Sequence, residues 1–284
     1  MHRIDGPGAT VDNKFTDGDP VGGIQATLVT DDWLNDVQEN IMAVLAAAGI
    51  APTKGRAADL KDAIQVSTSG RLLAVKVFIA NGTYTPTPGM RTAFVRAVGG
   101  GGGSAGLNAT AATQYNVVGG GGSAGYAESL LTAAAIGASQ AVTIGAGGTA
   151  GGVGLNGGNG GTTSLGSLLT VPGGQGSGPV APISTATQGM YVGGDGGAAP
   201  TTGNILNTPG APGCYGLFLA GGILGGDGGS AVLGAGGKGL STNSLPNPGG
   251  GYGSGAGGSA IVSNTAGHSG AAGSGGILIV MEYS

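Results

Sequence analysis

Charged residues, cysteine and aromatic rings are all scarce in this sequence. Of its 284 residues, 8% are charged and 4% are aromatic, and the net charge is −4. Without a basic excess the chain cannot neutralise a run of phosphates, which argues against a nucleic-acid partner. The single cysteine, Cys214, excludes a disulfide framework within the chain, and we expect its thiol to be buried and inert.

Long apolar segments are missing too. No stretch is long and apolar enough to span a bilayer as a helix, and the N-terminus lacks the apolar core of a signal peptide. We therefore expect a soluble protein that is made in a cytoplasm without a secretion signal.

Glycine is what the sequence has in excess, and its distribution divides the chain. Of the 68 glycines, ten lie in residues 1–97, which leaves 58 for the remaining 187 residues. The strict Gly-X-Y period of collagen is absent. The glycine runs alternate with apolar segments such as QYNVV and GLFLA, whereas flexible linkers are polar or charged. We therefore predict a folded glycine-rich region.

These patterns predict three regions and a mainly β fold class. Residues 1–30 are expected to be an extended arm with little packing of its own, residues 31–70 a helical attachment and trimerisation module, and residues 71–284 a glycine-rich β domain. We expect that domain to resemble a β-sandwich and to contain polyglycine or polyproline II-type segments, because only glycine fits where such segments pack side by side.

Residues 31–48 carry the strongest helical pattern. Thr30 can cap the helix and Gly49 can end it. One face carries apolar residues at helical spacing: Leu34, Val37, Ile41, Val44 and Leu45, with Trp33 beside them. This helix and a shorter one over residues 56–65 bury too little to be stable alone, so we expect all six side chains to form a homotrimer interface. For Trp33, a plain core position remains the alternative.

Strands are predicted over residues 72–85 and 91–98. The turn dipeptide Asn81-Gly82 and the Pro-rich break at 85–89 predict antiparallel pairing around these breaks. The polar loops between glycine runs are predicted to be exposed sites of recognition; they cover residues 104–113, 162–169, 179–188, 198–212, 240–248 and 259–269.

No motif predicts catalysis, a cofactor or a metal. IGAGGTA at residues 144–150 matches a dinucleotide-binding fingerprint but lacks the following helix pattern and the acidic residue about 20 positions on. Glycoside cleavage needs two close carboxylates, whereas Asp195 and Asp227 occur singly in GGDGG contexts that favour backbone bonding. His2 and His268 have no partner ligands nearby in sequence. We predict a protein that is not an enzyme.

Two parts of the chain resemble a known family. MHRID, KFTDGDP and ATLVTDDWLNDVQE near the N-terminus resemble the start of tail-fibre proteins of tailed phages and prophages of Gram-negative bacteria. NGTYTPTPGMRTAFVRAVGGGGG, VTIGAGGTAGG and the closing GGILIVMEYS resemble the glycine-rich tail-fibre domain. The resemblance implies a homotrimeric fibre in the virion tail, joined to the baseplate by its N-terminus and meeting the host cell surface by its C-terminal part. Some phage adhesins of similar composition stack polyglycine II helices, with receptor-binding loops at one end.

Receptor contact is predicted in residues 180–269, where the resemblance is weakest. Asparagine can hydrogen-bond a receptor and tyrosine can stack on it. The candidates are Tyr191, Asp195, Asn204, Asn207, Tyr215, Asn243 and Tyr252. For each tyrosine, a packing role at a strand end is the alternative. The receptor class stays open between lipopolysaccharide, a pilus and an outer-membrane protein. Two other functions also stay open: a fibre that degrades polysaccharide, and a purely structural glycine-rich protein.

Overall fold

The computed structural model describes residues 2–219 and 222–284. The chain divides into two compact units, Met1–Arg71 and Leu72–Ser284. Its secondary structure is mainly β, with several antiparallel sheets, as the sequence predicts. In the described part of the chain, no helix is long and apolar enough to cross a membrane.

The first unit is built on two helices, α1 (Asp31–Ala47) and α2 (Asp59–Ser67). The cap predicted at Thr30 is confirmed, because its hydroxyl accepts a hydrogen bond from the amide of Trp33 at 3.4 Å. Gly49 follows the helix with φ +67° and ends it as predicted. The second helix begins three residues later than predicted, because the carboxylate of Asp59 accepts the amide of Thr53 at 2.8 Å and holds a turn before it.

The segment before α1 contains turns and backbone hydrogen bonds and is therefore less extended than predicted, whereas its poor packing is confirmed because Ile4 alone among residues 2–30 is buried. Asp19 and Ile24 exchange backbone hydrogen bonds of 2.8 and 2.9 Å. Ile4 is only 2% exposed. The ring of Phe15 packs edge-on against that of Trp33, with centroids 5.1 Å apart. Turns between polar residues supply these contacts, and a composition poor in apolar residues does not reveal them.

The second unit consists of short strands and one short helix, α3 (Ala133–Ile136). Its strands are β1 (Leu72–Phe78), β2 (Gly82–Tyr84), β3 (Thr92–Val98), β4 (Gln114–Val117), β5 (Tyr126–Thr132), β6 (Gln140–Thr143), β7 (Thr163–Leu165), β8 (Leu169–Val171), β9 (Ile183–Ser184), β10 (Gly189–Tyr191), β11 (Leu206–Thr208), β12 (Gly216–Leu219), β13 (Gly222–Leu224), β14 (Ala260–Ile261) and β15 (Ile277–Tyr283).

Two of its sheets share one apolar core. The five-stranded sheet has the order β1-β15-β3-β5-β11, and the four-stranded sheet has the order β2-β6-β7-β8. Buried Val95, Leu278 and Val280 of the first sheet pack in one cluster with Val142 and Leu165 of the second. Both sheets are antiparallel throughout.

The predicted pairing of the first strands around their breaks is wrong. β1 and β2 belong to different sheets, and the closing strand β15 lies between β1 and β3. Val280 pairs with Lys76 on one side and with Val95 on the other. The C-terminal strand is paired on both sides, and its residues 277, 278, 280 and 282 are buried.

A buried carboxylate ties the first strands to the last. Glu282 is fully buried and accepts hydrogen bonds from the Tyr84 hydroxyl at 2.8 Å and from Lys76 Nζ at 3.0 Å. The amide of Thr87 donates a third at 3.1 Å. Burial by itself raises the pKa of the Glu282 carboxyl, but the hydrogen bonds from Thr87, Tyr84 and Lys76 outweigh it and hold the pKa below its ordinary value.

Glycine-containing segments link these strands, and we number them runs 1 to 12 in chain order. They are residues 99–107, 118–125, 144–152, 155–162, 172–180, 192–200, 209–215, 225–230, 234–240, 246–250, 253–259 and 268–276. They contain neither helix nor ladder strand, yet their backbones bond to one another throughout. In runs 1 and 2 the buried peptide groups pair mainly with the backbones of neighbouring runs.

Run 1 is buried and surrounded by six other runs. Its amides take three partners in turn: those of Gly99 and Gly102 donate to run 2, those of Gly100, Gly103 and Gly106 to run 4, and those of Gly101, Ser104 and Leu107 to run 12. Its carbonyls accept from runs 3, 5 and 11. Hydrogen bonding thus repeats every third residue, the period of a polyproline II helix. The loop predicted over residues 104–113 is therefore wrong in its first part, because residues 104–107 continue this buried run.

Run 2 has a similar environment. Its amides donate to runs 5, 7 and 11, and its carbonyls accept from runs 1, 6 and 8. The order of hydrogen-bond partners also gives the direction of the runs. The amide of Gly99 donates to Gly125 and that of Gly102 donates to Gly122, so runs 1 and 2 are antiparallel. The partners of the other runs follow the same rule, so consecutive runs point in opposite directions.

Candidate functional site

Because consecutive runs point in opposite directions, the segments between them, which we call links, lie alternately at two ends of the second unit. Links after even-numbered runs lie with the five- and four-stranded sheets, and we call this the sheet end. Links after odd-numbered runs lie at the other end, which we call the loop end; their described residues are 108–117, 153–154, 181–191, 216–219 with 222–224, 241–245 and 260–267. None of these six sequences contains Asp, Glu, Lys or Arg.

Short sheets and side-chain hydrogen bonds join these links into one surface. β4 pairs with β9 on one side and with β14 on the other. The hydroxyl of Thr110 donates to the carbonyl of Val262 at 2.6 Å, and the amide of Thr185 donates to the carbonyl of Thr113 at 2.8 Å. Links that are far apart in sequence therefore hold one another in place.

Positive φ angles of residues other than glycine are concentrated at this end. In the described part of the chain, five residues other than glycine have positive φ, and four of them belong to the loop end: Thr113 (62°), Thr242 (46°), Asn243 (60°) and Asn264 (55°). Positive φ is unfavourable for a β-branched residue such as threonine. Such strain clusters at binding sites, where the surrounding structure fixes the geometry.

Aromatic and apolar side chains lie between the polar links. The ring of Tyr191 stacks on that of Phe218, with centroids 5.5 Å apart and planes at 24°. Tyr215, at the end of run 7, is 51% exposed. A groove of about 380 Å³ runs beside Tyr191 and is lined by Pro179, Val180 and Val192. The loop end thus offers neutral hydrogen-bonding groups, aromatic faces and a shallow apolar groove.

The seven predicted receptor-contact residues are not brought together. Tyr191, Tyr215 and Asn243 lie at the loop end, where the side-chain oxygen of Asn243 accepts the amide of Val262 at 3.1 Å. Asp195 is exposed on run 6, away from both groups of links.

The other three predicted residues lie at the sheet end and have partners there. Asn204 makes two 2.8 Å hydrogen bonds to the backbone of Leu130. Asn207 bonds the backbone of Gly203 at 3.0 and 2.7 Å. Tyr252 packs against a buried cluster that includes Tyr126, which agrees with the packing role considered for it.

Sequence reasoning missed several loop-end residues. Thr110, Thr113, Met190, Phe218 and Leu245 were not among the candidates, although Met190 and Leu245 are 63% and 70% exposed. The signal that could have found them is the order of the runs, because each link after an odd-numbered run reaches the same end.

One of the two acids in GGDGG contexts, Asp227 in run 8, bonds to the backbone of run 9. A backbone-bonding role is confirmed for Asp227, whose carboxylate accepts the amide of Gly239 at 2.5 Å. Among the described residues, no three His, Cys, Asp or Glu side chains come together as a metal site. Run 3, which carries IGAGGTA, continues into a turn and run 4 instead of the helix that a dinucleotide site needs.

Cys214 is exposed, so the prediction of a buried thiol is wrong. Its amide and carbonyl both bond neighbouring runs, to Asp227 and from Gly120. At this position the backbone of run 7 bonds to neighbouring runs, and the side chain of Cys214 is exposed to solvent.

The predicted trimer residues of α1 differ in exposure. Leu34, Ile41 and Val44 are 53%, 39% and 36% exposed, and Val37 is half-buried beside them. Leu45 is 3% exposed, and thus belongs to the core of the first unit. Trp33 is half-buried against Phe15.

Comparison with protein families and curated proteins gave no match: no protein-family model matches the chain, and no curated protein matches it.

Proposed function

We propose that this chain is a receptor-binding tail-fibre protein of a tailed phage or prophage of a Gram-negative bacterium. In this proposal residues 1–70 attach to the phage baseplate, and the loop end of the glycine-rich domain binds a receptor on the host cell surface. The protein acts by binding and not by catalysis. It is made in the host cytoplasm and functions in the virion tail.

The observation that carries the proposal is the gathering of six links at one end. Together they present Thr, Asn and Tyr side chains on a strained but mutually bonded backbone. Such adaptable polar groups beside aromatic anchors suit recognition of a sugar or protein surface. Because the links are uncharged, specificity rests on shape and neutral hydrogen bonds.

The glycine runs supply a rigid support for these links. We propose that they are polyglycine II-type segments packed side by side in a sandwich-like arrangement. The three-residue repeat of hydrogen bonds in run 1 supports this assignment, as do the six neighbouring runs that each of runs 1 and 2 contacts. In many binding proteins the recognition residues lie on loops that a rigid scaffold holds in place.

Two other functions are less well supported. A polysaccharide-degrading fibre needs two carboxylates facing one bound sugar, whereas the Asp227 carboxylate bonds a backbone amide and the loop end has no acid. A purely structural protein has no need for strained, uncharged links gathered at one end.

Cell binding tests the proposal and separates these functions. Purified full-length protein, fluorescently labelled, should bind saturably to host cells and slow the adsorption of phage that carries it. A receptor is identified by loss of binding to mutants that lack lipopolysaccharide, pili or one outer-membrane protein. Clearing of a capsule on a lawn by the protein alone would favour the enzymatic alternative, and absence of binding to every host strain would refute the proposed function.

We further propose that the fibre is a homotrimer joined through α1. The apolar residues Leu34, Ile41 and Val44 support this, because they lie on one helical face and each is at least 36% exposed. Three such faces can close a small bundle around a shared axis.

Light scattering tests the trimer directly. The full-length protein should have about three times the 26.5 kDa chain mass. The double variant Leu34→Glu and Ile41→Glu should reduce this to one chain mass, because three copies would bring buried charges together. Ala43→Glu, on the opposite side of α1, is the matched control and should stay trimeric. A wild-type protein that is monomeric at micromolar concentration would contradict the trimer.

A further inference from the structure

The first unit contains a pocket between its folded N-terminal segment and the start of α1. The cavity measures about 400 Å³, a size typical of pockets that hold a small ligand or one large side chain. Its apolar walls are Ile4, Phe15 and Trp33. Phe15 is 51% exposed, so an aromatic ring is open to solvent there.

The charged residues that line this pocket are basic, and Asp36 and Asp5 lie 2.7 and 3.6 Å from His2 at its rim. Residues 1–30 contain two basic residues, Arg3 and Lys14, and both line the pocket. The same segment contains four acids, and none of them lines it. His2 also lies at the rim, and the hydrogen bond it shares with Asp36 raises the pKa of its imidazole. Arg3 and Lys14 are thus the charged groups that a ligand in this pocket would meet on its walls.

We propose that this pocket binds an acidic peptide segment of a partner protein, which inserts one aromatic side chain beside Phe15 and Trp33. Carboxylates that flank the inserted ring would contact Arg3 and Lys14. If residues 1–70 attach to the baseplate, as proposed above, the partner is a baseplate protein; this identification rests on the proposed function.

The geometry favours a peptide of this kind. Phe15 and Trp33 are already packed edge-on at 5.1 Å, and a third ring can join them with the same edge-to-face preference. Residues that dominate protein interfaces are enriched in tryptophan, tyrosine and arginine. Two cations suffice to pair with the carboxylates of one short segment, whereas nucleic acid is recognised by broad basic surfaces.

The single tryptophan makes the pocket directly observable, because Trp33 is the only one in the chain. Three peptides serve as probes of the full-length protein: acetyl-Asp-Phe-Asp-amide, acetyl-Lys-Phe-Lys-amide and acetyl-Asp-Gly-Asp-amide. The first should change Trp33 emission saturably, with a dissociation constant on the order of 1 mM for so small a ligand. The other two should bind at least about tenfold more weakly, since each lacks one of the two recognised groups.

Charge reversal supplies the matched variants. Lys14→Glu should weaken binding of the acidic Phe peptide at least about tenfold and strengthen binding of the basic one. Lys54→Glu changes a lysine of the same unit outside the pocket and should leave both unchanged. Equal binding of all three peptides, an unchanged affinity in Lys14→Glu, or no change in Trp33 emission up to about 10 mM peptide would overturn the proposal. Binding to host cells does not depend on this pocket, so the outcome is independent of the test of receptor binding.

Discussion

Adding one methyl group at Gly273 should destabilise the second unit by more than about 4 kcal/mol, whereas the same change at Gly275 should be tolerated. Both glycines lie in run 12, two residues apart. A Cβ at Gly273 would lie 2.2 Å from the carbonyl oxygen of Gly101 in the central run, but a Cβ at Gly275 would meet nothing closer than 3.8 Å. Backbone atoms held by hydrogen bonds on all sides cannot move away from the added carbon.

The substitution Gly275→Ala should slightly increase the stability of the second unit. Gly275 does not have a left-handed φ, so alanine fits its backbone. Replacing glycine by alanine at a compatible position restricts the unfolded chain and stabilises by about 0.4–1 kcal/mol. Gly275→Ala should therefore raise the melting temperature slightly while Gly273→Ala lowers it strongly.

A second matched pair in run 5 repeats the test. A Cβ at Gly176 would lie 2.2 Å from the carbonyl oxygen of Gly157, but at Gly178 the nearest atom is 3.8 Å away. Thermal and denaturant unfolding of Gly176→Ala and Gly178→Ala should show the same contrast. Equal melting temperatures within both pairs would show that the runs are loose linkers.

Valine should destabilise the second unit more than alanine does at one glycine in each of runs 2, 3, 6 and 8. At Gly121, Gly147, Gly196 and Gly228, a Cβ would lie 2.0 to 2.3 Å from a backbone oxygen of another run. Packing of this kind leaves space for hydrogen only, which explains the glycine content better than any need for flexibility.

Local features of the fold could be predicted from the sequence. The cap at Thr30 and the stop at Gly49 depend on neighbouring residues only, and both are confirmed. The strands predicted within residues 72–85 and 91–98 are also present, as β1, β2 and β3. These features need no knowledge of what the segments contact.

Long-range features could not be predicted in this way. Nothing local shows that β15 lies between β1 and β3, since its partners are about 200 residues away in sequence. The same limit explains the candidate site: Asn204 and Asn243 have similar polar surroundings in sequence, but an even-numbered run precedes one and an odd-numbered run the other. Only the order of runs separates the sheet end from the loop end.

Removing exposed apolar side chains from the loop end should weaken binding to host cells by at least about 30-fold. The variant combines Met190→Ser, Tyr215→Ser and Leu245→Ser, whose side chains are 63%, 51% and 70% exposed. One interface anchor among them costs at least about 2 kcal/mol on loss, which corresponds to this factor. Since all three are exposed, the melting temperature should change little.

The sheet end provides a control of similar chemistry. Leu130→Ser, Ile205→Ser and Leu206→Ser remove side chains that are 47%, 51% and 43% exposed. They lie on or beside the strand pair of β5 and β11 at the opposite end of the runs. This triple variant should bind host cells as the unchanged protein does.

The dissociation constant for host cells, measured for the unchanged protein and for both triple variants, tests the central claim most directly. We expect a large loss for the loop-end variant and none for the sheet-end variant, with both proteins melting as the unchanged one does. Loss of binding confined to the sheet-end variant, or equal binding by all three proteins, would contradict the claim that the glycine runs support a receptor-binding surface at one end.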